Sequence, residues 1–284
     1  MKFQKLTLRR GFRRLLFYGL VLVILIPVCV FSNTHLTVTE YDFAHADIPE
    51  GFEGYRIVHL SDLHNAVFGE NDEKLIGKIT ELAPDLIVLT GDMIDASNHT
   101  DYDKALLLMK QLPDIAPTYY VFGNHELELP KDKTAEFVAM AEVCGVHYLN
   151  DEQTVLQAEN GDEITLIGLN DRSLDTLTLH HMVEWEYRRK FHLVLAHEPQ
   201  LLSHYAKADV DLILSGHAHG GQFRLPFVGG LYAPDQGLFP KMTEGLHEKN
   251  GTAMIISRGL GNSAFPVRLG NFPEIVCITL HTQA

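Results

Sequence analysis

Apolar runs of strand length alternate with segments of helical periodicity along most of the chain. The strand-length runs lie at 55–60, 86–89, 119–122, 164–169, 191–196, 212–214, 253–256 and 275–280, and helical spacing marks 73–82, 102–112, 133–144 and 199–207. Because strands buried on both faces form continuous apolar runs, this pattern predicts an α/β protein. Helices become scarce towards the C-terminus, which favours two facing sheets with helices on their outer faces.

The N-terminus carries a long apolar run. Residues 15–31 contain no charged side chain, and as a helix of about 1.5 Å per residue they span roughly 25 Å, near the lower limit for crossing a bilayer. Residues 1–14 hold six basic and no acidic side chains, which favours a cytoplasmic N-terminus and an extracytoplasmic body. We therefore predict a basic cytoplasmic segment at 1–14, a transmembrane signal-anchor at 15–31 and, after a short polar connector at 32–35, a single catalytic domain at 36–284.

Two other interpretations of this N-terminus stay open. A cleaved signal peptide also combines a charged start with an apolar middle, and cleavage near Phe31 would export the body. The adjacent Arg9 and Arg10 can be interpreted as a twin-arginine export signal, although two arginines are expected in any basic flank.

The charge is unevenly distributed. The chain has a formal net charge of -14, but beyond residue 31 only 17 basic side chains stand against 37 acidic ones, a net charge of -20. Because nucleic-acid binding depends on neutralising phosphates with Lys and Arg, we expect no nucleic-acid partner.

None of the three cysteines forms a Cys-x-x-Cys motif, which argues against a zinc site of that kind. Whether Cys144 and Cys277 pair stays open, as does the oligomeric state.

Five of the apolar runs end in residue types that bind metals. The five segments are Ser61-Asp62-Leu63-His64, Thr90-Gly91-Asp92, Gly123-Asn124-His125-Glu126, Ala196-His197-Glu198 and Ser215-Gly216-His217-Ala218-His219. Ligands of α/β sheets bind beyond the carboxyl ends of the strands, so these segments are expected to converge. We expect extended backbone to point Asp62 and His64 to one side, because residues two apart in a strand share a face. The same argument applies to His217 and His219.

These segments supply two carboxylates, several imidazoles and an amide oxygen, without a thiolate. Such a mixed set of nitrogen and oxygen donors suits Mn, Fe, Zn, Co or Ni better than calcium. The set is large enough for two ions, and two ions about 3.5–4 Å apart can clamp the attacking and leaving oxygens of a phosphoryl displacement. We therefore predict two divalent metal ions as cofactors, with Mn, Fe or Zn favoured, in a site suited to phosphoryl displacement.

The order Asp-x-His, Gly-Asp, Gly-Asn-His-Glu, His and Gly-His-x-His resembles that of the calcineurin-like metallophosphoesterases. The match runs from residue 55 to about 222, and GHAHGGQ with the tail SRGLGNS resembles the bacterial membrane-associated or exported branch typified by YkuE and YaeI. The resemblance implies a four-layer α/β/β/α sandwich. The site residues that it implies are Asp62, His64 and His219 as ligands of a first metal ion, Asn124, His197 and His217 as ligands of a second, Asp92 as the bridge between them and His125 as the catalytic imidazole.

The activity implied by the resemblance is that of a dinuclear phosphoesterase, with phosphodiesterase or pyrophosphatase activity favoured. A metal-bridging hydroxide would attack phosphorus, and His125 would act as the acid. The alternative is a membrane-tethered, non-catalytic scaffold or binding module of the same fold. His125 separates the two hypotheses, because a pure scaffold has no need of an unliganded imidazole beside the cleft.

Substrate contacts are predicted in the C-terminal third of the chain. Arg258 and Asn262 are candidates for binding a phosphate oxygen, but a structural ion pair explains Arg258 equally well. Residues 223–240 are rich in apolar side chains and form either ordinary hairpin packing or an exposed rim that admits a lipid-linked phosphate. Glu126, Glu198 and Asp171 are expected only to cap or hydrogen-bond groups around the ligands.

Overall fold

The computed structural model describes residues 2–96, 102–170, 176–184, 190–263 and 265–283. Helices within these ranges are α1 (Lys2–Thr34), α2 (Glu73–Leu82), α3 (Asp103–Met109), α4 (Asn124–Glu128), α5 (Lys131–Val143), α6 (Thr176–Glu184) and α7 (Leu202–Tyr205). The strands are β1 (Thr37–His45), β2 (Arg56–Leu60), β3 (Leu86–Thr90), β4 (Thr118–Val121), β5 (Val146–Tyr148), β6 (Glu152–Gln157), β7 (Glu163–Gly168), β8 (His192–Leu195), β9 (Leu212–Ser215), β10 (Arg224–Leu225), β11 (Gly229–Gly230), β12 (Tyr232–Ala233), β13 (Gly237–Leu238), β14 (Gly245–Lys249), β15 (Thr252–Ile256) and β16 (Glu274–Thr282).

The longer strands form two six-stranded sheets. The first has the order β1-β16-β2-β3-β4-β5 and is parallel from β2 to β5. The second has the order β14-β15-β9-β8-β7-β6 and is parallel from β15 to β7. Parallel neighbours end at the same edge of a sheet, so each sheet gathers the loops that follow its central strands at one edge.

Alternate residues of the central strands enter different cores. In β3, Leu86 packs between the two sheets and Ile87 packs against α2, α3 and α5. In β8, Leu193 packs between the sheets and Val194 packs against α6 and α7. Since side chains alternate along a strand, both sheets have two buried faces, as the continuous apolar runs predict. The four-layer α/β/β/α architecture is confirmed.

Helix α1 extends beyond the apolar run that the sequence marks. It ends at Thr34 and β1 begins at Thr37, so most of the segment expected as a polar connector is helical. Residues Arg14–Thr34 are long and apolar enough to cross a membrane, although a signal sequence passes the same test. The last turn packs on the sandwich, where Ser32 is buried and the Phe31 ring lies 5.6 Å from that of Phe272.

Candidate metal centre

The five motif segments all lie just past the carboxyl ends of central strands. The first predicted ligand of each segment lies two or three positions after the last residue of β2, β3 or β4 in the first sheet and of β8 or β9 in the second. The Nδ1 hydrogen of His197 is donated to the carbonyl oxygen of Thr90 over 2.7 Å, which links the two sheets at this edge. The site therefore spans both sheets, and the Nε2 lone pair of His197 is left to face it.

The structure brings the predicted ligands into two adjacent donor groups. Donor atoms within 4.8 Å of one another come from Asp62, His64, Asp92 and His219 in the first group and from Asp92, His197 and His217 in the second. Nε2 of His64 lies 3.1 Å from Nε2 of His219, and Nε2 of His197 lies 3.1 Å from Nδ1 of His217. Asn124 joins the second group, since its Oδ1 lies 3.2 Å from Nε2 of His197.

Asp92 belongs to both donor groups through one oxygen atom. Its Oδ2 lies 3.5 Å from Nε2 of His64 and 3.3 Å from Nε2 of His197. Its Oδ1 accepts the backbone N–H of His125 over 2.9 Å, which fixes the carboxylate in this orientation. A single oxygen that faces two sets of donors is the arrangement required of a bridging ligand.

The spacing and charge of the donors fit divalent cations. Ligand nitrogens lie about 2.0–2.1 Å from zinc, which separates neighbouring donors by about 3.0–3.4 Å; the ring nitrogens facing each other here are 3.1 Å apart. Burial lowers the pKa of His64 to about 4 and also lowers the pKa of His219, so both imidazoles are neutral at neutral pH and can act as ligands. Burial raises the pKa of Asp92, but the nearby imidazoles of His197 and His64 outweigh it and hold that pKa well below its usual range.

Left-handed backbone is concentrated in the ligand segments. The torsion angle φ is 52° at Asp62, 43° at His64, 52° at Asp92, 66° at His217 and 46° at His219. The expectation of extended backbone is therefore wrong: Asp62 and His64 meet in the first group through a left-handed turn, and His217 and His219 enter different groups. Such conformations cost about 1–3 kcal/mol each in non-glycine residues and cluster at functional sites. Backbone hydrogen bonds from Asp62 to Gly91 and from His64 to Asp92 hold the turn.

Glu126 supports the loop that carries Asp92. Its buried carboxylate accepts the backbone N–H groups of Asp92 over 2.9 Å, Met93 over 2.7 Å and Gly123 over 2.8 Å. Glu126 therefore hydrogen-bonds backbone groups around the predicted ligands, as expected for a residue next to them. Asp171, which was named for a similar role, lies outside the described residues.

His125 lies beside the first donor group. Its Nδ1 accepts the backbone N–H of Ala96 over 2.9 Å, so a neutral ring carries its proton on Nε2. Nε2 lies 3.4 Å from Oγ of Ser263, and the ring centroid is 4.5 Å from that of His64. The side chain thus presents an N–H donor next to the centre.

The two predicted substrate contacts lie outside both donor groups. Nη2 of Arg258 lies 2.8 Å from Oε1 of Glu274, which is the structural ion pair that the sequence left open. Nδ2 of Asn262 donates to Oδ1 of Asn33 in the last turn of α1 over 2.8 Å. Both side chains fasten the C-terminal segment to its neighbours, and a role in binding substrate stays a prediction for each.

The comparisons with known proteins agree with this geometry. A family model described as calcineurin-like phosphoesterase matches residues 55–221, more than half of the chain. The chain belongs to the calcineurin-like phosphoesterase family. It is accordingly a metal-dependent phosphoester hydrolase, and the predicted superfamily and branch are confirmed.

Three relatives and one solved structure are similar to this chain. The uncharacterized metallophosphoesterase YkuE of Bacillus subtilis is 32% identical over 245 residues, which cover 85% of this chain and 84% of that protein. The phosphodiesterase YaeI of Escherichia coli is 29% identical over 230 residues, 80% of this chain and 82% of that protein. A transmembrane protein with metallophosphoesterase domain from Bos taurus is 28% identical over 253 residues, 82% of this chain and 54% of that protein. The structure of Haemophilus influenzae NAD nucleotidase aligns with a TM-score of 0.50 at 14% identity, over 72% of this chain and 45% of that one, and shows the fold alone.

Asp235 is a site residue of this phosphoesterase that sequence reasoning missed. Nε2–H of His217 donates to Oδ2 of Asp235 over 2.9 Å, which turns Nδ1 towards the second donor group. No motif in the sequence marks Asp235 as a site residue. It lies in the segment 223–240, where the apolar side chains are the evident feature. Partners that orient a ligating histidine in this way commonly alter metal affinity 10–100-fold.

We expect Asp235→Asn to weaken metal binding at the second donor group by roughly tenfold. The substitution removes the charge that orients His217, while Asn tolerates the φ of 55° at this position. Asp209→Asn is the matched control, since Asp209 is exposed with a φ of 58° and is not a member of either donor group. Titration of the metal-stripped protein with Zn²⁺ or Mn²⁺ measures the change, and equal affinities for the two variants would contradict the orienting role.

The close contact of loops at Gly216 gives a prediction for stability. A Cβ atom there would lie 1.9 Å from Oγ of Ser61 and 2.4 Å from Oδ2 of Asp62, both in buried residues. We expect Gly216→Ala to lower the free energy of unfolding by about 1–3 kcal/mol, because overpacking displaces the buried loop. At Gly77 in α2 an added Cβ would meet no atom within 4 Å. Gly77→Ala should therefore raise the free energy of unfolding by about 0.5–1 kcal/mol. Urea denaturation measures both, and a stabilising Gly216→Ala would contradict the packing described.

Proposed function

We propose that this enzyme is a dinuclear phosphodiesterase or pyrophosphatase that uses two divalent ions, with Mn²⁺, Fe²⁺ or Zn²⁺ favoured. The observation that carries the proposal is the position of Asp92, whose single Oδ2 faces the ring nitrogens of both donor groups. The proposed ligands are Asp62, His64 and His219 for one ion and Asn124, His197 and His217 for the other, with Asp92 shared. The name of the relative YaeI supports a diester as substrate.

When bound, such ions supply a water nucleophile at neutral pH and polarise the phosphate. The chain itself holds the ligands and provides the proton. Donating that proton requires the imidazolium form of His125, in which Nδ1–H faces Oδ1 of Asp95 at 3.6 Å. Nε2–H then goes to the leaving oxygen when the P–O bond breaks, the ring is left neutral, and it regains a proton from the water that adds to phosphorus. The contacts of Ala96 with Nδ1 and of Ser263 with Nε2 hold the ring in place.

We also infer that the enzyme crosses the membrane once, with residues 1–14 in the cytoplasm and residues 36–284 outside. The basic residues among the first 14 positions and the exposed apolar side chains of residues 15–31 support this topology. Export after cleavage of a signal peptide is the alternative. Protease protection in intact cells tests the side on which the sandwich lies, and N-terminal sequencing of the mature chain distinguishes an intact N-terminus from one created near Phe31.

The activity is tested with the full chain in detergent after its metals are removed and replaced by Mn²⁺ or Zn²⁺. The substrates are bis-p-nitrophenyl phosphate, p-nitrophenyl phosphate and a soluble pyrophosphate diester. We expect hydrolysis only after metal is restored, with the diester or the pyrophosphate preferred over the monoester. Inactivity on all three substrates with the metals loaded would contradict the proposal and favour the membrane-tethered scaffold.

A further inference from the structure

A group of large apolar side chains is exposed on the loops around the metal centre. We define the apolar surface by six residues, Phe227, Val228, Tyr232, Leu238, Phe239 and Phe265. Phe227 is fully exposed, while Leu238 and Phe239 are 74% and 65% exposed. Exposed apolar side chains that lie together on a soluble domain mark sites of contact with a membrane or another molecule.

The backbone holds two of these aromatic rings outwards at an energetic cost. The torsion angle φ is 67° at Phe227 and 54° at Phe239, a left-handed region that bulky residues rarely occupy. Tyr232 and Leu238 are directly paired across β12 and β13, so their side chains share a face. The ring of Phe265 lies 6.4 Å from that of Tyr232, which joins the C-terminal loop to the hairpins. The six residues therefore belong to one connected set of loops.

The same loops are bonded to the end of helix α1. Oδ1 of Asn33 accepts the backbone N–H of Arg268 over 3.1 Å and the side-chain amide of Asn262 over 2.8 Å. Arg268 lies three residues from Phe265, and the backbone N–H of Arg224 donates to the carbonyl of Leu269 over 2.9 Å. The first hairpin and the C-terminal loop are thus fastened next to the last turn of the helix.

This attachment fixes the level of the loops relative to a membrane. The apolar segment Arg14–Thr34 has 21 residues and a length of about 31 Å, close to the thickness of a hydrocarbon core. Asn33 lies one residue before its end, so the loops bonded to Asn33 lie at the bilayer surface when the helix spans. Leu36 is buried and β1 begins at Thr37, which leaves little freedom between helix and sandwich.

The charge of the domain favours apolar contact with the lipid. Because the residues beyond 31 have a net charge of -20, electrostatic attraction to anionic lipids is disfavoured, and apolar contact is the interaction that remains.

The apolar surface and the metal centre share their loops. Asp235, between Tyr232 and Leu238, accepts the hydrogen bond of His217, and Ser263, two residues before Phe265, contacts His125. We propose that the apolar surface inserts into the same bilayer that holds α1 and presents the metal centre to lipid-linked phosphate esters at the membrane surface. The substrate class in this statement rests on the proposed phosphoesterase function, whereas the insertion does not.

Insertion is tested by fluorescence quenching in vesicles. The full chain carrying Trp185→Phe, which removes the one tryptophan in the sequence, receives either Phe227→Trp or Val143→Trp. Val143 is 90% exposed at the end of α5, which packs beside β5 at the opposite edge of the first sheet from β1. In phosphatidylcholine vesicles with brominated acyl chains, we expect the tryptophan at 227 to be quenched and the one at 143 to keep its emission. Equal emission of both in brominated and unbrominated vesicles would overturn the insertion.

Access to lipid-linked substrate is tested with two diesters that share p-nitrophenol as leaving group. One is phosphatidyl-p-nitrophenol embedded in vesicles, and the other is soluble bis-p-nitrophenyl phosphate. The double variant Phe227→Asn, Phe239→Asn removes both rings while Asn tolerates the left-handed backbone. We expect it to lower kcat/KM for the embedded diester about tenfold and to leave that for the soluble diester unchanged, because the lost apolar contacts act only at the membrane. Val143→Asn, the control, should change neither.

The outcomes separate the two proposals. An equal loss on both diesters, or no loss on either, would overturn the role of the apolar surface in substrate access. A wild-type enzyme that hydrolyses only the soluble diester would overturn the lipid-linked substrate while leaving the phosphoesterase function intact. A metal-loaded wild type inactive on both diesters would contradict the proposed phosphodiesterase activity, and the quenching result would still decide the insertion.

Discussion

Asp92→Asn is expected to lower kcat/KM by about 10³-fold, equivalent to about 4 kcal/mol of transition-state stabilisation, and to lower the metal content below two equivalents per chain. The substitution replaces the one oxygen that faces both donor groups by a neutral amide, so both ions lose a charged ligand. Asn also tolerates the φ of 52° at this position, which limits the effect on folding.

The comparison uses elemental analysis and steady-state kinetics on the same preparations. Asp209→Asn is again the control, because it makes the same chemical change at an exposed residue with a similar φ. Wild-type metal content and activity in Asp92→Asn would contradict the bridging role. Loss of activity without any change in metal content would restrict Asp92 to a role in the chemistry itself.

His125→Ala should lower kcat by about 10²- to 10⁴-fold, the range typical of general acid–base groups, while the metal content stays that of the wild type. The imidazole is not assigned to either ion, so its removal takes away the proton on Nε2 and leaves both donor groups in place. The loss should be larger for a diester with an alkyl alcohol leaving group than for one with p-nitrophenol, because a poor leaving group depends more on protonation.

His204→Ala is the control for this variant, since His204 is exposed on α7. Unchanged kcat in His125→Ala would contradict the proposed acid. A loss that is equal for both leaving groups would indicate that His125 stabilises charge on the transferring phosphate and does not donate the proton.

The central strands were predictable from the sequence because they are buried on both faces. All eight predicted strand runs coincide with β2, β3, β4, β7, β8, β9, β15 and β16. The strands that the apolar runs missed include β1, β5, β6 and β14, which are the edges of the two sheets. Edge strands such as β6 expose most of their side chains, so their sequences carry polar residues and lack a continuous apolar run.

The convergence of the ligand segments was predictable, but their local backbone conformation was not. Each lies where a buried strand ends, and that position, together with the residue types, is enough to bring the segments to one edge. The left-handed turns at Asp62 and His64 were not predictable from spacing, since tertiary hydrogen bonds to Gly91 and Asp92 hold them. The same applies to the separation of His217 from His219.

The contacts that tune the site depend on long-range packing. Asp235 meets His217 from a hairpin 18 residues away, and Ser263 meets His125 across 138 residues. No local pattern marks such pairs, because the side chains become neighbours only after the sheets have formed. The attachment of Asn33 to the C-terminal loop has the same origin, and it lies in the last turn of α1, which is helical where the sequence favours a connector.

The central claim, that the two donor groups each hold a metal ion, is tested most directly by crystals of the Mn²⁺- or Zn²⁺-loaded full chain. Anomalous scattering at the metal absorption edge locates the ions independently of the protein. We predict two peaks about 3.5–4 Å apart, one beside His64 and His219 and one beside His197 and His217, with Asp92 Oδ2 between them. A single peak, or peaks only at other surfaces of the protein under saturating metal, would contradict the account.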